Sequence, residues 1–386
     1  MHLLRSTIAF FGLFFVLGSF ATQAARPSDR GEVVTVISPA GGVRLNGLLC
    51  LPAGPGPFPT AVLLAERNAD SASPDGLLMK RLADDLVSLG VAVLRLNERG
   101  HGGSEGSATT VTLAERSADA IAALNYLRTR PQVDVTRLGL IGHGEGANVA
   151  LLAGAQPLAP TFVVALAAMG LPGRELLATQ AAMYGKVLGQ DSTDTQRQRE
   201  SQRALLAADQ EAAKMRANGS NSAQIQTYLD QQRLRQKAAL RRDEEARTKH
   251  QRAMLEIVRQ TPDNAQAQAI LANMLRQRYP ALPATDVQTS VQRLTTPAYR
   301  SFLAFDPQPS LAAVHCPVLL LQGESDTEVN AAVNLALLKK GLHNNANVTE
   351  RHYPGVNHAL QLTASGTAAF TPDAPADIFA WILGRT

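Results

Sequence analysis

Five short stretches, AVLLA (61–65), VAVLRL (91–96), LGLIG (138–142), FVVALAA (162–168) and PVLLLQG (317–323), run almost without a polar residue, and most are separated by segments of helical period. A strand that reads this way is covered on both faces, which is the condition of a parallel sheet with helices packed on either side. The intervening LLMKRLADDLVSLG and LAERSADAIAALNYLRTRP read as helices, the second closed by Pro131. The alternation predicts an α/β fold, a doubly wound and mostly parallel sheet. Ahead of it, EVVTVISPAGGVRLNGLLCLP alternates around a turn at 39–42 and predicts an antiparallel edge. With 386 residues, 45% of them hydrophobic, the chain can bury the core of one large domain or two smaller ones.

Between about 173 and 300 the pattern stops. QRQRESQRALLAADQEAAKMRA and DQQRLRQKAALRRDEEARTKHQRAMLEIVRQ are helix formers with few apolar residues, and LRRDEEARTKHQR offers no core face. No heptad is sustained, which argues against a coiled coil. The interval predicts an all-helical cap (173–300) inserted between two strands over the ligand-binding edge, splitting the core into 26–172 and 301–386. Residues 174–300 carry 20 Lys and Arg against 13 Asp and Glu, whereas the whole chain carries 37 against 33. Such a basic face attracts anions, lipid headgroups or nucleic acid. Aromatic residues are scarce in it, so a solvated helical surface is the expectation and no nucleic-acid partner is.

The opening MHLLRSTIAFFGLFFVLGSFATQAARP has an early Arg5, an apolar run from Ile8 to Phe20 and the small residues Ala21, Ala24 and Ala25. This predicts a signal peptide over 1–25, cut after Ala24 or Ala25, and an exported, periplasmic or secreted protein. The competing reading is an uncleaved anchor, but the run is short for a spanning helix. Neither Cys50 nor Cys316 directly follows the apolar run, so no lipoprotein anchor is indicated, and both lie beside apolar strands, where core positions are expected rather than a disulfide.

GLIGHGEGANVALLAG (139–154) reads as a buried strand, a tight turn and a helix start. In a G-x-S-x-G elbow such a turn lifts its central side chain above the sheet as a nucleophile. The five places are Gly142, His143, Gly144, Glu145 and Gly146, so the centre has no side chain. The positive φ required there costs an ordinary residue about 1–3 kcal/mol and glycine almost nothing. Taken alone, GHGEG is equally readable as a glycine-rich loop.

Three further segments accompany it: RLNERGHGGSEG (95–106), FDPQPSLAAVHCPVLLLQGESDTEVN (305–330) and YPGVNHALQ (353–361). In this order they resemble the α/β-hydrolases, most closely exported esterase and serine-peptidase-like members related to dienelactone hydrolases. The resemblance implies that Asp326 is the triad acid, with Glu324 and Glu328 as neighbouring carboxylates, that His358 is the base, and that Gly144 is the vacant nucleophile position. It implies oxyanion donors at the backbone of Glu145 and in the loop after 61–65. Relatives are glycine-rich in that loop, whereas here Ala65 is followed by Glu66 and Arg67, which would crowd or recharge the pocket. His143 is expected to pack beside the turn.

Neither of two other residues suits the place of a replacement nucleophile. Cys50 belongs to the edge strands, and the neighbours of Ser104 suit a structural turn. The eight histidines are scattered, and no H-x-x-E-H, C-x-x-C, P-loop or Rossmann fingerprint occurs, so neither metal nor cofactor is expected. Three functions follow as expectations: an esterase-type protein with serine chemistry lost and a small acyl ester or related ligand still bound; a hydrolase using another nucleophile or a water activated by His358; or an interaction protein acting through the basic cap.

Overall fold

The computed structural model describes residues 31–67, 73–180, 193–362, 371 and 373–384. The signal segment and its cut point lie outside the described residues. Eight strands form one sheet: β1 (Glu32–Ser38), β2 (Val43–Cys50), β3 (Phe58–Leu64), β4 (Ala92–Leu96), β5 (Val133–His143), β6 (Val163–Leu166), β7 (Val318–Gly323) and β8 (Val348–Tyr353), in the order β1-β2-β4-β3-β5-β6-β7-β8. From β4 to β8 every pairing is parallel, while β2 is antiparallel to both β1 and β4, as the alternating opening segment requires.

Helices cover both faces. On one face α1 (Pro74–Leu89) and α12 (Asp373–Leu383) bury Leu82, Leu86, Ile378 and Ile382 against Ile141, Val164 and Leu319. On the other, α2 (Leu113–Arg128), α3 (Glu145–Gly154) and α11 (Ala331–Gly341) bury Leu124, Leu127, Leu151 and Leu338 against Val62, Leu140 and Leu320. Each fully buried leucine contributes about 1.5–3 kcal/mol. The helix starts are written locally: Ser73 caps α1 through Gly76 N–H with Pro74 in the first turn, and Thr112 with Glu115 forms a reciprocal capping box on α2. Strand β8, VTERHY, carries no apolar run because it is an edge strand in which only Tyr353 is buried; the periodicity did not announce it.

Between β6 and β7 lie α4 (Gly173–Thr179), α5 (Thr193–Ala217), α6 (Ser222–Gln260), α7 (Asn264–Arg278), α8 (Ala284–Leu294), α9 (Pro297–Ala304) and α10 (Gln308–Leu311). The apolar residues of this interval are sparse but concentrated. Met254, Leu255, Val258, Leu271, Leu275, Val291 and Leu294 pack with Leu177 and Leu303 into a separate core. The exposed Leu205 and Leu206 of α5 and Leu234 and Leu240 of α6 stand outside it. Cys50 is buried, Cys316 half-buried, and no disulfide joins them. Among the described residues no helix is long and apolar enough to cross a membrane.

Candidate functional site

The candidate residues arrive on four loops at the C-terminal ends of parallel strands: Glu66 after β3, Gly144 after β5, Asp326 after β7 and His358 after β8. Loops at that edge of a parallel sheet are where such folds place their ligands. Gly144 sits at φ 54°, ψ −119°, its N–H donating to Leu166 O at 2.9 Å, and α3 starts directly after it. The close strand–helix approach also demands glycine at 146, where a Cβ would lie 2.1 Å from Leu64 O. The elbow is therefore formed, with no side chain at its tip.

Asp326 and His358 meet as the sequence implies. His358 Nδ1 lies 2.8 Å from Asp326 Oδ2, which also accepts from Gln322 Nε2 at 3.1 Å. Asp326 Oδ1 accepts the N–H groups of Glu328 and Val329, each at 2.8 Å, so the carboxylate is fully engaged and fixed in one orientation. Among the neighbouring carboxylates, Asp326 is the one on Nδ1. Glu328 also lies near the ring: one ligand atom each of Glu66, Glu328 and His358 lie within 4.8 Å of one another.

Glu66 occupies the space above the elbow. A Cβ on Gly144 would lie 2.7 Å from Glu66 Cγ and 3.0 Å from its Oε1. The same Oε1 is 3.6 Å from His358 Nε2, beyond hydrogen-bond length. Burial works against charge on the His358 ring, but Asp326 and Glu66 outweigh it and raise its pKa to about 10.

The remaining residues build the frame. His143, wholly buried, bridges Asp75 Oδ1 (2.5 Å from Nδ1) and the His358 carbonyl (2.8 Å from Nε2), and so holds the backbone of the β8 loop against the elbow. Asp75, a residue with no sequence signal beyond its place at the start of α1, also accepts the Glu66 N–H at 3.0 Å through Oδ2. That bond engages a backbone donor of the loop after β3. The Glu145 side chain turns away from the site into a buried ionic cluster. Arg67 Nη2 reaches it at 2.5 Å and Arg116 Nη1 at 2.7 Å, while Arg116 Nη2 donates to Ala65 O at 2.7 Å. Arg67 is thus drawn away from the pocket, and of the two charged loop residues Glu66 alone confronts the elbow. Ser104 is used structurally: its Oγ accepts Asn46 N–H at 2.9 Å and donates to Asn97 O at 3.2 Å.

Comparison with known proteins places the fold. A family profile described as serine aminopeptidase, S33 matches residues 75–275, just over half of the 386. The esterase EstD of Thermotoga maritima is 32% identical over 106 residues, a match spanning 27% of this chain and 25% of EstD, about a quarter of that relative's length. Among solved structures, an esterase of Pyrococcus furiosus aligns with TM-score 0.53 at 15% identity over 92% of this chain and 91% of its own. A second crystal form of it gives TM-score 0.52 at 14% identity over 93% and 95%. At such identity the likeness is one of fold.

Proposed function

The chain belongs to the serine aminopeptidase S33 family of α/β-hydrolases, and from that premise we propose that it is an esterase-type member in which serine-dependent acyl transfer has been lost and binding of a small acyl ester or related ligand retained. The observation that carries this reading is the Glu66 side chain over Gly144, 2.7 Å from where a Cβ would stand. Without a hydroxyl at 144 no acyl-enzyme forms by the usual route, and removal of the serine from such a triad leaves only about 10³–10⁴-fold acceleration over water. The engaged Glu66 N–H weakens the oxyanion hole as well. The alternative in which His358 activates water is less well supported, since a ring flanked by Asp326 and Glu66 and protonated up to about pH 10 is a poor base at neutral pH. The apolar run 8–20 and the small residues after it support export of the protein.

A panel of short-chain acyl esters, assayed in chelator, tests the reading. The native chain is expected to turn over below about 1 s⁻¹, the low end of ordinary enzymes. Gly144→Ser is expected to fold, to push the Glu66 side chain aside and to show weak turnover. Gly144→Ser combined with Glu66→Ala is expected to show more. Native turnover above that rate, abolished by His358→Ala, overturns the proposal.

A second reading has its own observation. The basic helices α5 and α6 expose four leucines outside any core, which favours a protein partner on that surface.

A further inference from the structure

We propose that Glu66, Glu328 and His358 bind one divalent transition-metal ion, of the Zn²⁺ or Mn²⁺ class, where the nucleophile would otherwise stand. The three ligand atoms lie within 4.8 Å of one another. His358 is 8% exposed, and its Nε2 is a buried nitrogen with no hydrogen-bond partner that faces Glu66 Oε1 at 3.6 Å. At that distance Glu66 pairs with the ring without a hydrogen bond, and a divalent ion that takes the place of the Nε2 proton finds one imidazole and two carboxylates gathered as its donor set.

The surroundings match what metal ligands require. Asp326 on Nδ1, at 2.8 Å, gives the carboxylate–histidine pairing that fixes the ring's tautomer and orientation for a metal on the other nitrogen. Both glutamates have anchored backbones, Glu328 N–H on Asp326 at 2.8 Å and Glu66 N–H on Asp75 at 3.0 Å. Their side chains are half-exposed, and both carboxylates must turn toward the ring to reach the roughly 2.0–2.2 Å bonds of such an ion. Gly144 is part of the design, because a side chain there would displace Glu66. One imidazole with two carboxylates suits first-row divalent ions, and three protein ligands leave a position open toward solvent. With ligands at 66, 328 and 358, on three separate loops, no spacing motif announces the site.

The site rests on the same missing side chain at Gly144 as the proposed loss of serine chemistry, but the two are read out separately. Ester turnover in chelator reports on that reading, and metal occupancy on this one. The test is equilibrium dialysis of the chelator-stripped full chain against Zn²⁺, with bound metal counted by elemental analysis. The expected result is one ion per chain, with affinity falling at least about tenfold in each of Glu66→Gln and Glu328→Gln, and unchanged in His352→Ala, an exposed histidine. A second measurement needs no variant: substoichiometric Mn²⁺ should broaden the His358 ring resonances of the native protein before those of His352. Failure to retain metal, affinity indifferent to both glutamate variants, or His358 signals no more affected than those of His352 overturns the proposal.

Discussion

Gly144 does two things that no other residue does as cheaply. It adopts φ 54° without strain, and it leaves the space that the Glu66 side chain enters. Glu66 is directed there because its neighbours claim everything else: Asp75 takes its N–H, and Arg67 is clamped to Glu145 together with Arg116. Burial works against charge on Arg116, but Glu98 and Glu145 outweigh it, so removing any member of this cluster leaves an uncompensated charge inside the protein. His358 carries the pH dependence. The groups facing its ring are Asp326, Glu66, Glu328 and His143, and its pKa is raised from 6.5 to about 10. A folded-state pKa above the unfolded value means that the bound proton stabilises the fold fully below about pH 6.5 and that this contribution is lost as pH rises through about 10. The slope is at most about 1.4 kcal/mol per pH unit. Urea denaturation in chelator across that window is expected to show the native chain losing stability more steeply than Glu66→Gln. Parallel curves would remove Glu66 from the account.

At the level of elements, the helices between β6 and β7 divide by burial. Leu294 of α8 is 1% exposed within their core, and Leu294→Ala is expected to cost about 2–5 kcal/mol, read as a lowered denaturation midpoint. Leu234 of α6 is 66% exposed, and Leu234→Ser is expected to leave stability within about 0.5 kcal/mol. If α5 and α6 form a partner surface, Leu234→Ser combined with Leu206→Ser loses a partner captured by the native chain while the midpoint holds. Capture unchanged by the pair would discard that reading. The contrast explains why this interval was only partly legible. The 39-residue helix α6 buries Ile225 near its start and a turn at 251–258 near its end and leaves most of the length between them exposed, so its average composition hides the buried turn.

Across the whole molecule, strand order does the assembling. β3, β5, β7 and β8 are far apart in sequence, yet their C-terminal ends lie along one sheet edge, and four loops converge there. The proposed export also concerns the whole chain, and it is checked by sequencing the N-terminus of protein recovered outside the cytoplasm. A start at residue 25 or 26 is expected, and a start at residue 1 would remove the proposed cleavage.

Much of this was written in local pattern. Apolar runs covered on both faces predicted a parallel α/β sheet, and the family resemblance carried by the motifs pointed to the elbow and to Asp326 and His358, because each run and each motif is a stretch of neighbouring residues. Strand β8 escaped, since an edge strand needs no apolar run. The direction of Glu66, the pairing of Asp75 with His143, the withdrawal of Arg67 and the gathering of Glu66 and Glu328 about His358 were decided by tertiary structure alone. These contacts join residues as far apart as 66 and 358, and a local pattern carries no record of which loop faces which until the sheet has brought their ends together.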